Sequence, residues 1–321
     1  MNDAAERVRF GETELMVSRL CQGTAFRHLD RSADSPAAEK VLRHCLDMGV
    51  NFFDSAIAYG WGGSESLLGR AIAGRRQEVV ICTKVPPRHL PKQGADPEPA
   101  EFSRQFLATH LEGSLQRLGT DYVDLYLLHQ PDEVTKPEEI IDSMEALVQA
   151  GKTRYWGVSN HKAAAVEALL ECAQGRNSSG PVGVEDYYNI SGAYSGKGTS
   201  RVRALEREMF PMLRRRGLGL LAFSPMDAGS LSPESRPDEG SPLAALCQVL
   251  DDVASKLGVT RSQVSVAWML THPEVTCVLG GPESSEHVDE LLAGTRLALS
   301  EEERSRLDRA SIEHSDHQAG S

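Results

Sequence analysis

Four side chains of complementary chemistry punctuate this chain. Asp54 closes the short run Val50 to Phe53, and Tyr59 follows five residues later, ahead of Gly60, Gly62 and Gly63. Lys84 closes the run EVVICTK, and His129 closes VDLYLLH. A free tyrosine ionises near pH 10, too high to cycle readily at neutral pH (about 10 for the model side chain). An adjacent ammonium favours the phenolate, and a carboxylate beside the lysine keeps that ammonium charged and placed. Tyr59 can then give a proton to a carbonyl oxygen or take one from an alcohol. His129 can hold and polarise the same oxygen. These residues form neither a nucleophile–base pair nor a metal cage. A proton donor alone reduces nothing, so the set implies a redox cofactor.

Such chemistry needs all four groups in one small volume, and the surrounding pattern offers a way to gather them. Residues 7–10 and 15–17 flank Gly11-Glu12 and predict an N-terminal β-hairpin. Eight strand-then-helix units follow. Strands are predicted at 18–23, 50–53, 78–84, 123–129, 153–159, 182–189, 218–223 and 274–280. Helices are predicted at 36–48, 64–72, 102–118, 137–150, 163–173, 201–216, 243–257, 262–271, 284–293 and 301–310. Ser35-Pro36 reads as a capping hydroxyl with proline at the first helical position, and Ala38, Val41, Leu42, Cys45 and Leu46 share one helical face. Strict β/α alternation means a parallel sheet covered by helices, and eight units close into a (β/α)8 TIM barrel. An open doubly wound sheet would want GxGxxG after its first strand, where Gly23-Thr24-Ala25 stands instead. In a barrel, the C-terminal strand ends converge on one face, which is where Asp54, Lys84 and His129 fall. The loops 24–34, 85–100 and 225–242 would line the mouth and set specificity. Phe26, Arg27, His28, Arg31, Arg88, His89 and Lys92 in the first two suit a polar or sugar-like substrate.

Composition narrows the partners. The chain has 321 residues, enough for one barrel spanning 1–321, with 313–321 expected as a disordered tail. A net charge of −12 argues against nucleic acid as partner. Six scattered cysteines without CxxC or zinc-ligand spacing predict reduced thiols and a cytoplasmic setting. The polar N-terminus lacks signal-peptide character. No uncharged apolar run approaches the roughly 18 residues of a membrane span. Oligomeric state is not legible.

The motifs GVNFFDSAIAYG, the TK of ICTK, LLHQP, GKTRYWGVSN and GLGLLAFSP, in this order, resemble the aldo-keto reductase family over essentially the whole chain. The resemblance implies an NAD(P)(H)-dependent enzyme that interconverts a carbonyl and an alcohol, with Asp54, Tyr59, Lys84 and His129 as catalytic tetrad and Tyr59 as general acid/base. It implies that Ser159 and Asn160 hold the nicotinamide carboxamide and that Phe223 stacks on the nicotinamide. Ser224, Met226, Gly229 and Leu231 would follow the pyrophosphate, and Gly23 and Thr24 would line the floor. Gly280, Gly281 and His287 would lie along the adenosine end, with Leu291 beside the adenine. Two departures stand out. Glu185 occupies a position where the family usually has a glutamine that contacts the carboxamide; a carboxylate there accepts a hydrogen bond but cannot donate one. After the last strand, no Lys or Arg occurs between Pro273 and Gly294, while Glu283 and Glu286 do. The resemblance thus implies NADP(H), and the local charge keeps NAD(H) as the alternative, with Arg236 a possible base from the long loop. Two other roles fit the same residues. One is a cofactor-sensing regulatory subunit, as some members of this fold associate with membrane channels. The other is a net non-redox isomerisation or elimination on bound nicotinamide, with Glu185 as an added acid/base.

Overall fold

A computed structural model describes residues 5–89, 98–176, 178–192 and 201–319. Its centre is a closed barrel of eight parallel strands in sequence order. These are β1 (Leu20–Gly23), β2 (Phe52–Asp54), β3 (Val80–Val85) and β4 (Val123–Leu128), then β5 (Thr153–Ser159), β6 (Gly183–Tyr187), β7 (Gly219–Phe223) and β8 (Cys277–Gly280). Side chains alternate across a strand, so every second residue points into the barrel. On β3 that inward set is Val80, Cys82 and Lys84; on β2 it is Phe52 and Asp54. The lower members, with Cys21, Leu125, Leu221 and Cys277, form an apolar interior. The inner column therefore runs from hydrocarbon at the floor to charge at the C-terminal mouth.

The predicted hairpin closes the floor. Arg7–Arg9 pairs antiparallel with Met16–Ser18. Phe10, Leu15 and Val17 beside it are buried in the same apolar interior. A Cβ at Gly183 or Gly219 would come within 2.4 or 2.8 Å of the Phe10 ring. Glycine at the start of β6 and β7 is what lets that ring seal the barrel.

The outer layer begins with α1 (Pro36–Asp47), which buries the five apolar residues its sequence face predicts. Pro36 starts the helix as expected, but the Ser35 hydroxyl makes no capping bond. Next come α2 (Gly63–Ala71), α3 (Arg104–Leu118), α4 (Pro137–Gln149) and α5 (Ala163–Gly175). The predicted single helix 201–216 is broken: α-helical Arg201–Ala204 passes into a π-turn at Leu205–Met209 before α6 (Phe210–Arg216). Pro211 has no N–H to donate back along the ladder, which disfavours a regular α-turn there. Then follow α7 (Pro242–Leu257), α8 (Arg261–Leu270), α9 (Ser285–Gly294) and α10 (Glu301–Ala319). The tail expected to be disordered from 313 is helical to Ala319, because His314 and Ser315 are buried. The loop 85–100 also holds more order than expected, since Arg88–His89 pairs with Glu98–Pro99. Lys92 lies outside the described residues. All six cysteines are free thiols, and all but Cys172 are buried.

The loop between β2 and α2 carries Tyr59, and it is packed without slack. Gly60 and Trp61 both adopt left-handed backbone, at φ 60° and 52°. At Gly63 a Cβ would stand 2.3 Å from the Arg31 carbonyl oxygen. Backbone cannot swing aside, so Gly63→Ala is expected to destabilise the protein by about 1–3 kcal/mol. Urea and thermal melts of the variant measure this; wild-type stability would show that the loop yields.

Candidate active site

β2 and β3 are hydrogen-bonded neighbours, with Asp54 opposite Cys82. That register brings the inward Asp54 and Lys84 together at the mouth, both fully buried. Lys84 Nζ donates to Asp54 Oδ1 at 2.6 Å and Oδ2 at 2.5 Å, and to the Ser55 carbonyl at 3.1 Å. It reaches Tyr59 Oη at 3.3 Å. The Tyr59 ring meets the His129 ring edge-on, with centroids 6.0 Å apart. The structure thus brings the four tetrad candidates into one cluster.

Electrostatics assign protons within it. Burial works against the Lys84 ammonium, but Asp54 and then Glu185 more than reverse this, so Lys84 stays charged. Burial raises the Tyr59 phenol, and Asp54 and Glu185 add to this, while Lys84 alone pulls it down. The sequence-based expectation of a lowered Tyr59 therefore fails in the free protein: burial outweighs the ammonium, and Tyr59 is a neutral phenol. His129 is lowered to about 3 by burial, then by Lys84 and Arg88. It is a neutral imidazole, able to donate one N–H.

Glu185 joins this cluster from β6. Its Oε2 lies 3.4 Å from Lys84 Nζ yet makes no hydrogen bond. Asp54, Cys82 and Glu185 bring ligand-type atoms within 4.8 Å of one another, and the Lys84 ammonium is the cation among them.

The other candidates ring the mouth unevenly. Thr24 is buried; its N–H donates to the Asp54 carbonyl, and its hydroxyl donates to Ser55 Oγ at 2.9 Å. Gly23 packs so near β8 that a Cβ would sit 3.1 Å from the Gly280 carbonyl. Ser159 is buried, and Asn160, at φ 61°, donates to the His129 carbonyl at 3.0 Å and to Ser159 Oγ at 2.9 Å. Phe223 is half-buried, with its ring edge-on to Tyr187 at 5.7 Å. Ser224, Asp227, Ala228 and Gly229 all have positive φ, and Ala228 and Gly229 are exposed. Met226 is half-buried beside them. Two candidates do not face a groove. The Leu231 side chain is wholly buried in the core, and its N–H is spent on the Met226 carbonyl. Leu291 is buried too, filling the space above Gly280. Gly281 and His287 are exposed.

Three features escaped sequence reasoning. Trp61 is 53% exposed beside Tyr59; an aromatic inside a glycine run was the available signal. Arg27 donates to the Ala228 carbonyl at 3.0 Å, bridging the loops after β1 and β7. The Glu283 carboxylate accepts the backbone N–H groups of Arg27 and His28. Arg236, considered as a base for the cofactor, instead donates to the Pro233 and Ser235 carbonyls of its own loop.

Fold and site together define a barrel enzyme with its polar groups gathered at the C-terminal mouth. The chain belongs to the aldo/keto reductase family, whose model matches residues 19–312, and is an oxidoreductase. It is 31% identical over 316 residues to the uncharacterized oxidoreductase YrpG of Bacillus subtilis (strain 168), spanning 92% of this chain and 93% of that protein. It is 30% identical over 303 residues to a probable voltage-gated potassium channel subunit beta of Oryza sativa subsp. japonica, spanning 87% and 88%. Among solved structures it is similar to the aldo-keto reductase AKR11C1 from Bacillus halodurans (holo form), with TM-score 0.81 and 25% identity over 95% of this chain and 96% of that one. It is also similar to the thermostable aldo-keto reductase Tm1743, with TM-score 0.77 and 29% identity over 95% and 99%. Among the described residues, no helix is long and apolar enough to cross a membrane.

The state of His129 gives stability a definite pH dependence. The unfolded chain takes up this proton near pH 6.5, at the usual histidine value (about 6.5), and the folded chain only near 3. The contribution is therefore present above about 6.5 and is lost as pH falls through the window to 3. Melting temperatures are expected to fall across that window less steeply in His129→Gln than in wild type; parallel curves would remove His129 from the effect.

Proposed function

We propose that the protein interconverts a carbonyl and an alcohol with a nicotinamide dinucleotide, using Tyr59 as general acid/base. The observation that carries this reading is the contact of Tyr59 Oη with the buried Lys84 ammonium, beside a neutral His129. A nicotinamide cofactor suits the mouth. The half-buried Phe223 ring offers an aromatic face, Ser159 and Asn160 offer polar atoms, and Glu185 Oε2 is a buried acceptor left without a hydrogen bond. When bound, the cofactor supplies or accepts hydride at the substrate carbon. His129 donates an N–H to the substrate oxygen and Tyr59 delivers the proton as negative charge grows there. Lys84 steadies the Tyr59 oxygen, Asp54 fixes Lys84, and the apolar barrel below keeps water from competing. Arg88, close enough to bias His129, places a cation at the rim. With the exposed Trp61, it suits a small polar substrate such as a sugar.

For the cofactor, the surroundings of α9 favour NAD(H) over the NADP(H) implied by resemblance. The Ser284 hydroxyl already caps the His287 N–H. The Glu286 carboxylate is lowered by its own backbone N–H and then by Ser284. A 2′-phosphate would have to displace that carboxylate from the donors a helix start offers to anions. Glu283 adds negative charge on the same side.

The likeness to potassium channel beta subunits supports a second reading, a cofactor-reporting subunit. A complete Asp54, Tyr59, Lys84 and His129 set favours turnover over sensing alone.

Tyr59→Phe removes the proton donor, so turnover with a panel of aldehydes and sugars is expected to fall by about 100- to 10,000-fold. Near-normal rates would remove Tyr59 from the mechanism. Steady-state kinetics with both cofactors should give a higher kcat/KM for NADH than for NADPH. A strong NADPH preference would defeat the charge argument and direct attention to Arg27 and to Lys40, the cation that bears on Glu286.

A further inference from the structure

Glu185 stands where the reading above leaves a question. It is nearly fully buried, it replaces the glutamine usual in the family, and no proton-transfer step assigned above uses it. The barrel order β1 to β8 places β6 diametrically opposite β2. Glu185 therefore meets Asp54 across the interior, with carboxyl oxygens of the two within 4.8 Å of each other and the Lys84 ammonium beside both. Two carboxylates this close in a dry site repel each other, so one of them keeps its proton. Position decides which. Both Asp54 oxygens lie 2.5–2.6 Å from the single ammonium, which fixes Asp54 as the anion. Glu185 stands off at 3.4 Å with Oε2 unbonded. One ammonium in a dry site balances one carboxylate, and a second buried charge would be left uncompensated.

We propose that Glu185 is a positioning residue held as the neutral acid, and that its ionisation at alkaline pH weakens Tyr59 as a proton carrier by acting through Lys84. This deepens the function proposed above and rests on it only for the catalytic consequence. With Glu185 protonated, Asp54 and Lys84 sum to zero, and Tyr59 feels an ammonium at 3.3 Å. With Glu185 ionised, the cluster becomes net negative, and any charge left on the phenol oxygen is opposed. The charged and titratable groups facing Glu185 are Asp54 from β2, Tyr59 from the following loop, Cys82 and Lys84 from β3, and Cys21 from β1. From the adjoining strands, Ser159 of β5 and Leu221 of β7 stand in register with it and bring no charge. Burial, and then Asp54, raise the acid well above the usual carboxyl range. Burial likewise raises both thiols, so they stay neutral.

The departure from glutamine is then smaller than the sequence suggests. A neutral carboxylic acid offers one donor and one acceptor, the pattern a glutamine side chain can present to a carboxamide. What glutamic acid adds is a titration.

Infrared difference spectroscopy on the free protein at neutral pH tests this without cofactor or substrate. Wild type is expected to show the carbonyl stretch of a buried protonated carboxylic acid, shifted in D2O and missing from Glu185→Gln. The same band is expected to fade as the pH is raised. As a check on wild type alone, carbon-13 labelling of glutamate carboxyls should reveal one resonance that titrates above neutrality. Absence of both signals would overturn the proposal. In turnover, wild-type kcat should fall on the alkaline side by roughly tenfold per pH unit beyond the midpoint, as for one ionisation. Glu185→Gln should lack that limb, and superimposable profiles would overturn the coupling to Tyr59. If no carbonyl compound is turned over at all, the proposed function fails while the spectra still report on Glu185.

Discussion

An ammonium ion buried inside a barrel is the fact around which this structure is arranged. Lys84 has no exposure to solvent. Desolvating such a charge is unfavourable by several kcal/mol even after relaxation, on the order of what a whole domain retains as stability. Two short bonds that the ammonium donates to Asp54, and one to the Ser55 carbonyl, offset that cost. A well-packed apolar pair would generally stabilise a barrel as well or better. The ion pair therefore makes sense as a way to fix a positive charge against the Tyr59 oxygen, not as a stabilising device.

Closure of the barrel is what makes this possible. Inward residues of β2 and β3 begin with Phe52 and Val80 and end with Asp54 and Lys84, so the same alternation builds both the dry floor and the charged mouth. Phe10 seals the far end, which keeps the interior apolar beneath the charges. Tyr59 lies outside the strands, and a loop of left-handed residues carries it back over the mouth. Gly60 and Gly63 are pressed against Arg31 so closely that side chains there would displace backbone. The strain at Trp61, which holds φ 52° without being glycine, belongs to the same tight return.

How legible each part was depended on the range of the interactions that made it. The β/α rhythm, the closed barrel, the hairpin and the apolar face of α1 follow from local periodicity, and the strand-end positions of Asp54, Lys84 and His129 came with them. Leu231 and Leu291 were placed along a cofactor groove by likeness, and their burial turns on tertiary packing that spacing does not encode. The end of the chain looked polar enough to fray, yet His314 and Ser315 are buried in α10. The π-turn before α6 was signalled by Pro211 but not by the charged pattern around it. Least legible was the pairing of Glu185 with Asp54. They are 131 positions apart in sequence and sit on opposite walls of the barrel, so only closure makes them neighbours.

Burial also reverses the sign of an expectation drawn from residue types and spacing alone. An ammonium next to a phenol suggests a standing phenolate. With burial and then the Asp54 carboxylate opposing it, the phenol instead keeps its proton. His129 is neutral for a related reason, since burial and the Lys84 charge both disfavour a second cation. If Glu185 is neutral as well, the resting mouth carries one positive and one negative charge, each bound to the other. An oxygen that gains negative charge between Tyr59 and His129 is then the only uncompensated ion in the cavity. It is met by a phenol proton and an imidazole N–H, with the ammonium directly behind the phenol. In a water-poor site such preorganised dipoles act on developing charge far more strongly than they would in solution. A resting site so balanced is suited to receiving negative charge on a substrate oxygen, as carbonyl reduction requires, and any further buried anion would diminish that capacity.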